Sequence, residues 1–452
     1  MTFSMMNMKK GMLILVLTLL MGSAMAQYLT LDTCRQMALR NNASVRNADL
    51  EVQAAQELKK QAFTKYFPNV KGFAGGYYAM KPLLEYTIDD IGNAEARQLL
   101  HNLYFEYGAA MGLPNSISFC EKGMSVGAMA VQPIFMGGQI VNGNRLAQVG
   151  VTAAELQRDL ARDELLLQVE SSYWLVISLQ EKERTLNQAI TFLDTLSRDV
   201  NTALEAGLVT RNDQLKVMLK QNELASDRLR LTNGIRLAKM ALCQQIGAPY
   251  SDAVVLTDSV VDVQTMGLEN VDVQTAVQNR REAELLSLNV KAEQLKKKMT
   301  LGETLPHLMA GVGASYGNPV FDRFSGNGLA FATLQVPITD WWKTSHKLRQ
   351  QQISVQKAEN QREDLMQKMA LETQQALDKV TVAGEQVRLK TVAVQYAEVN
   401  TQTYKVNFQA GMIPVSDLLE AQTLYRQAQD ELVDAKIEYR KSLSALQRLL
   451  SR

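Results

Sequence analysis

Two periodicities divide the chain. Across residues 151–206 there is no Gly or Pro, and apolar residues recur in steps of three and four: Leu186, Ile190, Leu193, Leu196, Val200, Leu204. That spacing places them on one stripe of an α-helix on the order of 80 Å long at ~1.5 Å per residue. The rod ends at Ala206-Gly207-Leu208-Val209-Thr210, and a helical pattern returns as far as Ile246. Residues 343–410, a turn at Gly411 and a return from Pro414 to about Leu450 repeat the plan, with Gly384 the only breaker in the second rod. Elsewhere the period falls to two. Leu308, Ala310, Val312, Ala314 and Tyr316 alternate with Met309, Gly311, Gly313 and Ser315. Apolar residues on one face and mostly small ones on the other suit a wall between lipid and water. Residues 70–80, 125–135 and 329–338 read as further strands. Two shorter helices precede the strand pairs: one capped by Thr30 or Asp32 and running to about Tyr66, where Phe67-Pro68 stops it, and one over 270–301, stopped by Pro306.

The halves align. Gly207-Leu208-Val209-Thr210 matches Gly411-Met412-Ile413-Pro414, and Pro133-Ile134 matches Pro337-Ile338, both pairs 204 residues apart (411 − 207 and 337 − 133). Residues 38–68 match 276–306 at an offset of 238 (276 − 38). Duplication of this extent sets the domain reading. A signal peptide occupies 1–26. A first repeat covers 27–246 (helix, β-hairpin 70–135, helical hairpin with its tip near 207–213), a linker 247–269, and a second repeat 270–452 (helix, β-hairpin 307–338, helical hairpin with its tip near 411–417). The signal reading rests on Lys9 and Lys10, the apolar run 11–21 and the small-residue site Ala24-Met25-Ala26.

Composition sharpens this. Aromatic residues are only 6% of the chain, which favours rods over one large globular core, and the formal net charge of +1 gives no broad field for nucleic acid. Cys34, Cys120 and Cys243 lie far apart with no metal-type spacing, so they read as buried small apolar residues. His101, His307 and His346 fall in three different kinds of segment. No catalytic grouping, phosphate-cradling loop or metal motif appears, so the reading is a non-enzyme without cofactor or metal.

Four strands from an exported chain cannot close a membrane barrel, which needs at least about eight. If they meet lipid, the barrel is shared between chains, and the apolar stripes of the rods likewise call for neighbouring hairpins.

At this point the residues resemble the TolC-type outer membrane factors, the outer membrane efflux proteins. The likeness rests on Leu29-Thr30-Leu31 with Ala38-Leu39-Arg40-Asn41-Asn42, on Gln132-Pro133-Ile134-Phe135-Met136-Gly137-Gly138 echoed by Val336-Pro337-Ile338-Thr339-Asp340, and on the paired Ala-Gly-Leu/Met tips, each followed by an Asp. It covers almost all of residues 28–452. The resemblance implies a fold that is mainly α with antiparallel β: a homotrimer whose twelve-stranded outer-membrane β-barrel continues into a twelve-helix periplasmic α-barrel. It implies residence in the outer membrane of a Gram-negative cell, reaching into the periplasm. The implied function is the passive exit duct of a tripartite efflux or secretion system for small molecules and drugs. The implied partners are a periplasmic adaptor and a proton-driven or ATP-driven inner-membrane pump, with no nucleic acid. Two alternatives stay open: a type I protein secretion duct, and a non-conducting periplasmic coiled-coil scaffold.

The resemblance also implies acidic rings at the pore constriction, on Asp213, Asp417 and Glu420. Asp417 and Glu420, three apart, share a helix face. The competing reading is that an acid in a first helical turn offsets the macrodipole, and Thr210-x-x-Asp213 resembles a capping box. Family members lock the closed tip with an Arg and a Tyr near the second turn. The matching places here hold Ile413 and Phe408, and Arg211 and Tyr404 are the candidates to take that part. Gly207, Leu208, Val209, Thr210, Gly411, Met412, Ile413 and Pro414 form the candidate adaptor-binding tips. Residues 81–122 read as a long external loop, either one holding a short helix near 94–107 or a disordered decoration. Trp341 and Trp342 suit an interfacial belt.

Overall fold

A computed structural model describes residues 27–81, 84–108, 111–113, 116–119, 122–258, 272–318, 324–338 and 340–450. The signal-peptide reading, Cys120 and residues 259–269 of the 247–269 linker fall outside the described residues. In chain order the elements are β1 (Gln27–Leu29), α1 (Leu31–Asn41), α2 (Ala43–Thr64), β2 (Asn69–Tyr78), β3 (Leu84–Thr87), a 3-10 turn, α3 (Ala94–Leu103), a π-helical turn (Tyr104–Gly108), β4 (Ser116–Phe119), β5 (Lys122–Met136), α4 (Gln139–Glu205), α5 (Arg211–Ile246), β6 (Val254–Leu256), α6 (Val273–Gln278), α7 (Arg281–Gly302), β7 (His307–Gly317), β8 (Ser325–Gln335), α8 (Asp340–Gln409) and α9 (Val415–Leu450). The sequence of 22-residue helix, strand pair, long helix and 36-residue helix occurs twice. The long helices have 67 and 70 residues, each on the order of 100 Å.

The first helix does not run unbroken to Tyr66. It breaks at Asn42, whose backbone is extended (ψ 134°). The Asn42 side chain accepts from the Ser44 N–H (2.8 Å) and donates to the Gln245 carbonyl (2.8 Å), so one residue caps α2 and holds the end of α5. Gly247 ends α5 at φ +66°, and a Cβ there would lie 2.5 Å from the Asn41 Cβ. Thr30, not Asp32, caps α1, accepting from the Thr33 N–H.

The chain forms two compact units, one of Ala55–Val151 and Asn289–Ala358, the other of the remaining described residues. The first holds a four-stranded antiparallel sheet, order β2-β5-β7-β8, and a separate β3–β4 pair. Pro133 sits at a bulge in β5, where the register with β7 shifts between Pro133 and Phe135, so its missing N–H interrupts no regular ladder. Gly137 and Gly138 take positive φ (59° and 76°) as β5 gives way to α4.

The second unit is helical. Its largest core cluster includes Leu29, Cys34, Tyr173, Trp174, Leu242 and Ile246. Here β1 and β6 pair in parallel, Leu29 opposite Leu256. The Tyr173 hydroxyl, fully buried, lies 2.9 Å from Asp258 Oδ2, which also accepts the Leu31 N–H (3.0 Å). Burial, reinforced by that carboxylate, pushes the Tyr173 pKa up. Cys34 and Cys243 are buried free thiols, and burial pushes Cys34 up to about 12. Glu170 is buried as well. It accepts from Arg35 (2.7 Å), from the Trp174 indole (3.3 Å) and from the Ser444 hydroxyl, while Arg440 stacks on Trp174 at 4.7 Å. That node ties α1, α4 and α9 together.

Candidate functional site

In a sheet, residues opposite one another share a face, and the faces alternate along each strand. One face therefore carries Val70, Gly72, Ala74, Gly76 and Tyr78 of β2, with Met124, Val126, Ala128 and Ala130 of β5. Leu308, Ala310, Val312, Ala314 and Tyr316 of β7 continue it, followed by Gly326, Gly328, Ala330, Ala332 and Leu334 of β8. Past the bulge, Phe135 rejoins this face opposite Leu308. Apart from Lys122 at the far end of β5 and Gln132 beside the bulge, no side chain on it is charged or amide-bearing. Met124, Val126, Val312, Tyr316 and Leu334 on it are exposed.

The opposite face is mixed: Asn69 and Lys71 of β2, Ser125 of β5, Ser315 of β7, Asn327, Thr333 and Gln335 of β8, with three aromatics among them. Each aromatic faces a glycine directly across a strand: Phe73 opposite Gly127, Tyr77 opposite Gly123, Phe331 opposite Gly311. A Cβ on those glycines would lie 2.8, 2.6 and 2.5 Å from the respective rings, so the rings lie flat over the missing side chains. Among the described residues the outer edges of β2 and β8 have no strand partner.

At the end of the sheet where β5 enters α4, Phe63 packs edge-on against Tyr66 and Phe67 (centroids 5.6 and 5.5 Å). Trp342, in the first turn of α8, is 82% exposed. The run of aromatics before Pro68 is the sequence signal for the Phe63, Tyr66 and Phe67 cluster.

The two tips share one backbone design. At the first, Gly207 (φ +73°) lets the Leu208 N–H reach the Ala203 carbonyl (2.8 Å). At the second, Gly411 (φ +71°) lets the Met412 N–H reach the Asn407 carbonyl (2.9 Å). Both are left-handed closures that satisfy the last carbonyls of a long helix. Leu208 and Met412 stand 79% and 75% exposed. Val209 instead packs on the core cluster of Leu193, Leu196, Val200, Val217 and Leu418, and Ile413 is half-buried.

Beyond the turns the tips differ. Thr210 caps α5 and shares a reciprocal box with Asp213. Those hydrogen bonds from Thr210 hold the Asp213 carboxyl below the usual carboxylate range. Position 414 carries Pro, and Asp417 is left accepting from the Ser416 hydroxyl (3.1 Å). Asp417 is half-buried and Glu420 exposed. Arg211 is exposed and bonds Gln214. Tyr404 and Phe408 pack against the same tip core as Val209. The fold thus brings the candidate tip residues of each hairpin together, and it gives Val209, Tyr404 and Phe408 an internal packing role. Among the described residues no group of His, Cys, Asp or Glu is placed to hold a metal ion, and no helix is long and apolar enough to cross a membrane.

Residues 34–247 and 267–452 match the sequence profile of the outer membrane efflux protein family. The chain belongs to that family. No curated protein sequence matches it significantly. Similar solved structures include the CmeC outer membrane channel of Campylobacter jejuni (15% identity, TM-score 0.73, 93% of this chain and 85% of that one). Others are the outer membrane protein VceC of Vibrio cholerae (14%, 0.73, 93% and 95%) and the open state of the MtrE outer membrane channel of Neisseria gonorrhoeae (15%, 0.73, 93% and 88%). At such identities the likeness is one of fold. The efflux-family fold accounts for the order of strand pairs and long helices in this chain.

Proposed function

We propose that the chain is one third of an efflux exit duct in the outer membrane. The observation that carries the reading is the exposed, almost wholly apolar face of a four-stranded sheet with two unpaired edges. Such a face is stable against hydrocarbon, and open edges are not, since lipid offers their N–H and C=O groups no partner. Three copies joined edge to edge, β2 to β8, close twelve strands with the polar-bearing face inward. The ten or eleven residues of β2, β7 and β8, tilted at about 45°, span roughly the 25 Å apolar band of such barrels.

In this reading 27–246 and 270–452 are two structural repeats joined by the linker 247–269. Each supplies a helical hairpin, so the homotrimer supplies a twelve-helix periplasmic tube. Asp417 and Glu420, with Asp213, place carboxylates at the lumen where the tube narrows, and Arg211, Tyr404 and Phe408 govern the packing of the tips. Leu208 and Met412, with their neighbours in Gly207-Thr210 and Gly411-Pro414, meet a periplasmic adaptor that links the duct to an inner-membrane pump. Small molecules then leave passively. CmeC and MtrE are each described as outer membrane channels, which supports extending that role here.

Purified protein reconstituted in a planar bilayer tests the reading. A trimeric particle with stepwise conductance is the expected result. A monomer in mild detergent, or a folded trimer that never conducts, overturns it.

A further inference from the structure

The connection between β2 and β5 carries a small body of its own. The β2–β5 ladder ends where Tyr78 faces Lys122, and within residues 79–121 lie the β3–β4 pair, the 3-10 turn, α3 and the π-helical turn. The corresponding connection between β7 and β8 is only residues 318–324. Local bonds hold the larger one in shape. Asp90 accepts from the Thr87 N–H (2.7 Å) and hydroxyl (2.9 Å), and Asn93 caps α3 by accepting from the Glu95 N–H (2.9 Å). The Arg97 guanidinium donates twice to the Ile91 carbonyl (3.0 and 2.9 Å), and the Tyr104 hydroxyl donates to the Leu113 carbonyl (2.8 Å).

These polar groups bond locally, and large apolar side chains are left exposed. Tyr86, Leu99, Leu103, Tyr107 and Met111 are exposed, and Phe105 is 77% exposed. Leu99 and Leu103, one turn apart, share a face of α3, and exposed apolar side chains gathered in this way mark an interaction surface. The rim is acidic. Across residues 84–119 five carboxylates (Glu85, Asp89, Asp90, Glu95, Glu106) stand against one guanidinium, Arg97, a formal net charge of −4. Helices that lie on anionic lipid carry Lys and Arg on the polar face. The sign here is opposite, so a phosphate-bearing lipid surface is repelled. The same charge opposes packing several copies of this body against one another. The complementary partner is apolar at its centre and cationic at its rim.

We propose that this insertion is a docking surface for a cationic amphipathic polypeptide. Apolar side chains of the partner bury against Leu99 and Leu103, and its Lys or Arg side chains meet Glu95, one turn before Leu99, and Glu106, three residues after Leu103. This goes beyond the duct reading and does not depend on conductance, so the two fail separately.

The test uses the full-length protein in phosphatidylcholine nanodiscs and a labelled synthetic helix of Leu and Lys, with a Leu and Glu helix of the same pattern as control. Saturable binding of the Leu/Lys helix is expected, weakening as salt rises. It should weaken about ten-fold or more in Leu99→Asn/Leu103→Asn, and measurably in Glu95→Gln/Glu106→Gln. All four side chains are exposed, so thermal melts of both variants should match wild type. No binding to wild type, equal binding to the apolar double variant, or equal binding of the Leu/Glu helix overturns the proposal. Insertion-dependent binding to phosphatidylglycerol vesicles, or cross-linking of Phe105→Cys between copies, also overturns it in favour of a lipid or self-packing role.

Discussion

The Asp213 carboxylate accepts both the backbone N–H (3.1 Å) and the hydroxyl (2.7 Å) of Thr210, while the Asp213 N–H donates back to that hydroxyl (3.2 Å). The pair closes the first tip and starts α5. Thr210→Ala should cost about 1 kcal/mol, the usual worth of such a cap, seen as a lower denaturation midpoint. Because these bonds depress the Asp213 pKa, the carboxylate's stabilising contribution is fully present above the unfolded carboxylate pKa of about 3.9. It is lost as pH falls through the lower folded value. Asp213→Asn should remove that part of the acid dependence and leave the neutral-pH dependence unchanged. Stability profiles of wild type and variant that run parallel below pH ~4 would refute the assignment.

That box also shows what the chain alone could disclose. Thr210-x-x-Asp213 is a local pattern, as are the three- and four-residue steps of α4 and α8, the alternation in β7 and the two Gly-centred tips. Each is written in neighbouring residues and is legible without coordinates. The break at Asn42 is not, because the partner that makes an extended Asn favourable there is the Gln245 carbonyl, 203 residues away. Nor is the β1–β6 pair, since three-residue strands are too short to alternate. At the site, the sequence marked Asp213 and Asp417 as equivalents. Their difference follows from what stands three residues earlier, a hydroxyl-bearing Thr210 in one tip and Pro414 in the other.

From that difference comes a prediction about selectivity. If the tips narrow an aqueous lumen, the Asp417 and Glu420 carboxylates attract cations there. Replacing both by Ala should lower the cation preference, read as a smaller reversal potential under a salt gradient across a planar bilayer. Asp213→Ala should change it less, since the Asp213 carboxylate is already held by Thr210. Unchanged selectivity in the Asp417/Glu420 variant would remove both residues from the pore lining.

Gly247 gives a sharper stability test. Its φ of +66° disfavours any Cβ, and the position a Cβ would take lies 2.5 Å from the Asn41 Cβ and 3.2 Å from the Asn41 carbonyl carbon. Gly247→Ala should cost at least about 2 kcal/mol, combining the left-handed penalty with displacement of Asn41. Gly150→Ala, where nothing lies within 4 Å of the added Cβ, should be neutral or slightly stabilising by comparison. Equal melting temperatures for the two variants would contradict the close approach of α1 and α5.

The Arg35–Glu170 pair should respond asymmetrically. The Glu170 side chain is 8% exposed and that of Arg35 is 36%. Arg35→Ala strands a buried carboxylate and should cost about 3 kcal/mol. Glu170→Gln keeps an acceptor for Ser444 and Trp174 and leaves an Arg that can reach water, so it should cost less. Chemical denaturation of both variants would show the ordering, and the reverse ordering would mean that Glu170 finds compensation elsewhere.

The sheet faces allow the most direct test of the membrane reading. Val312 lies mid-strand on the apolar face, flanked in register by Ala130 and Ala330, whereas Thr333 lies on the opposite face across from Met309. A lysine at the lipid face near the bilayer midplane costs about 2–4 kcal/mol, and one facing a lumen costs little. Val312→Lys should therefore reduce the fraction recovered folded in outer membranes and slow insertion into vesicles, while Thr333→Lys should assemble like wild type. Both side chains are exposed in the single chain, so a sheet that met water on both faces would tolerate the two lysines equally. Equal recovery of the two variants would thus place the sheet outside the bilayer.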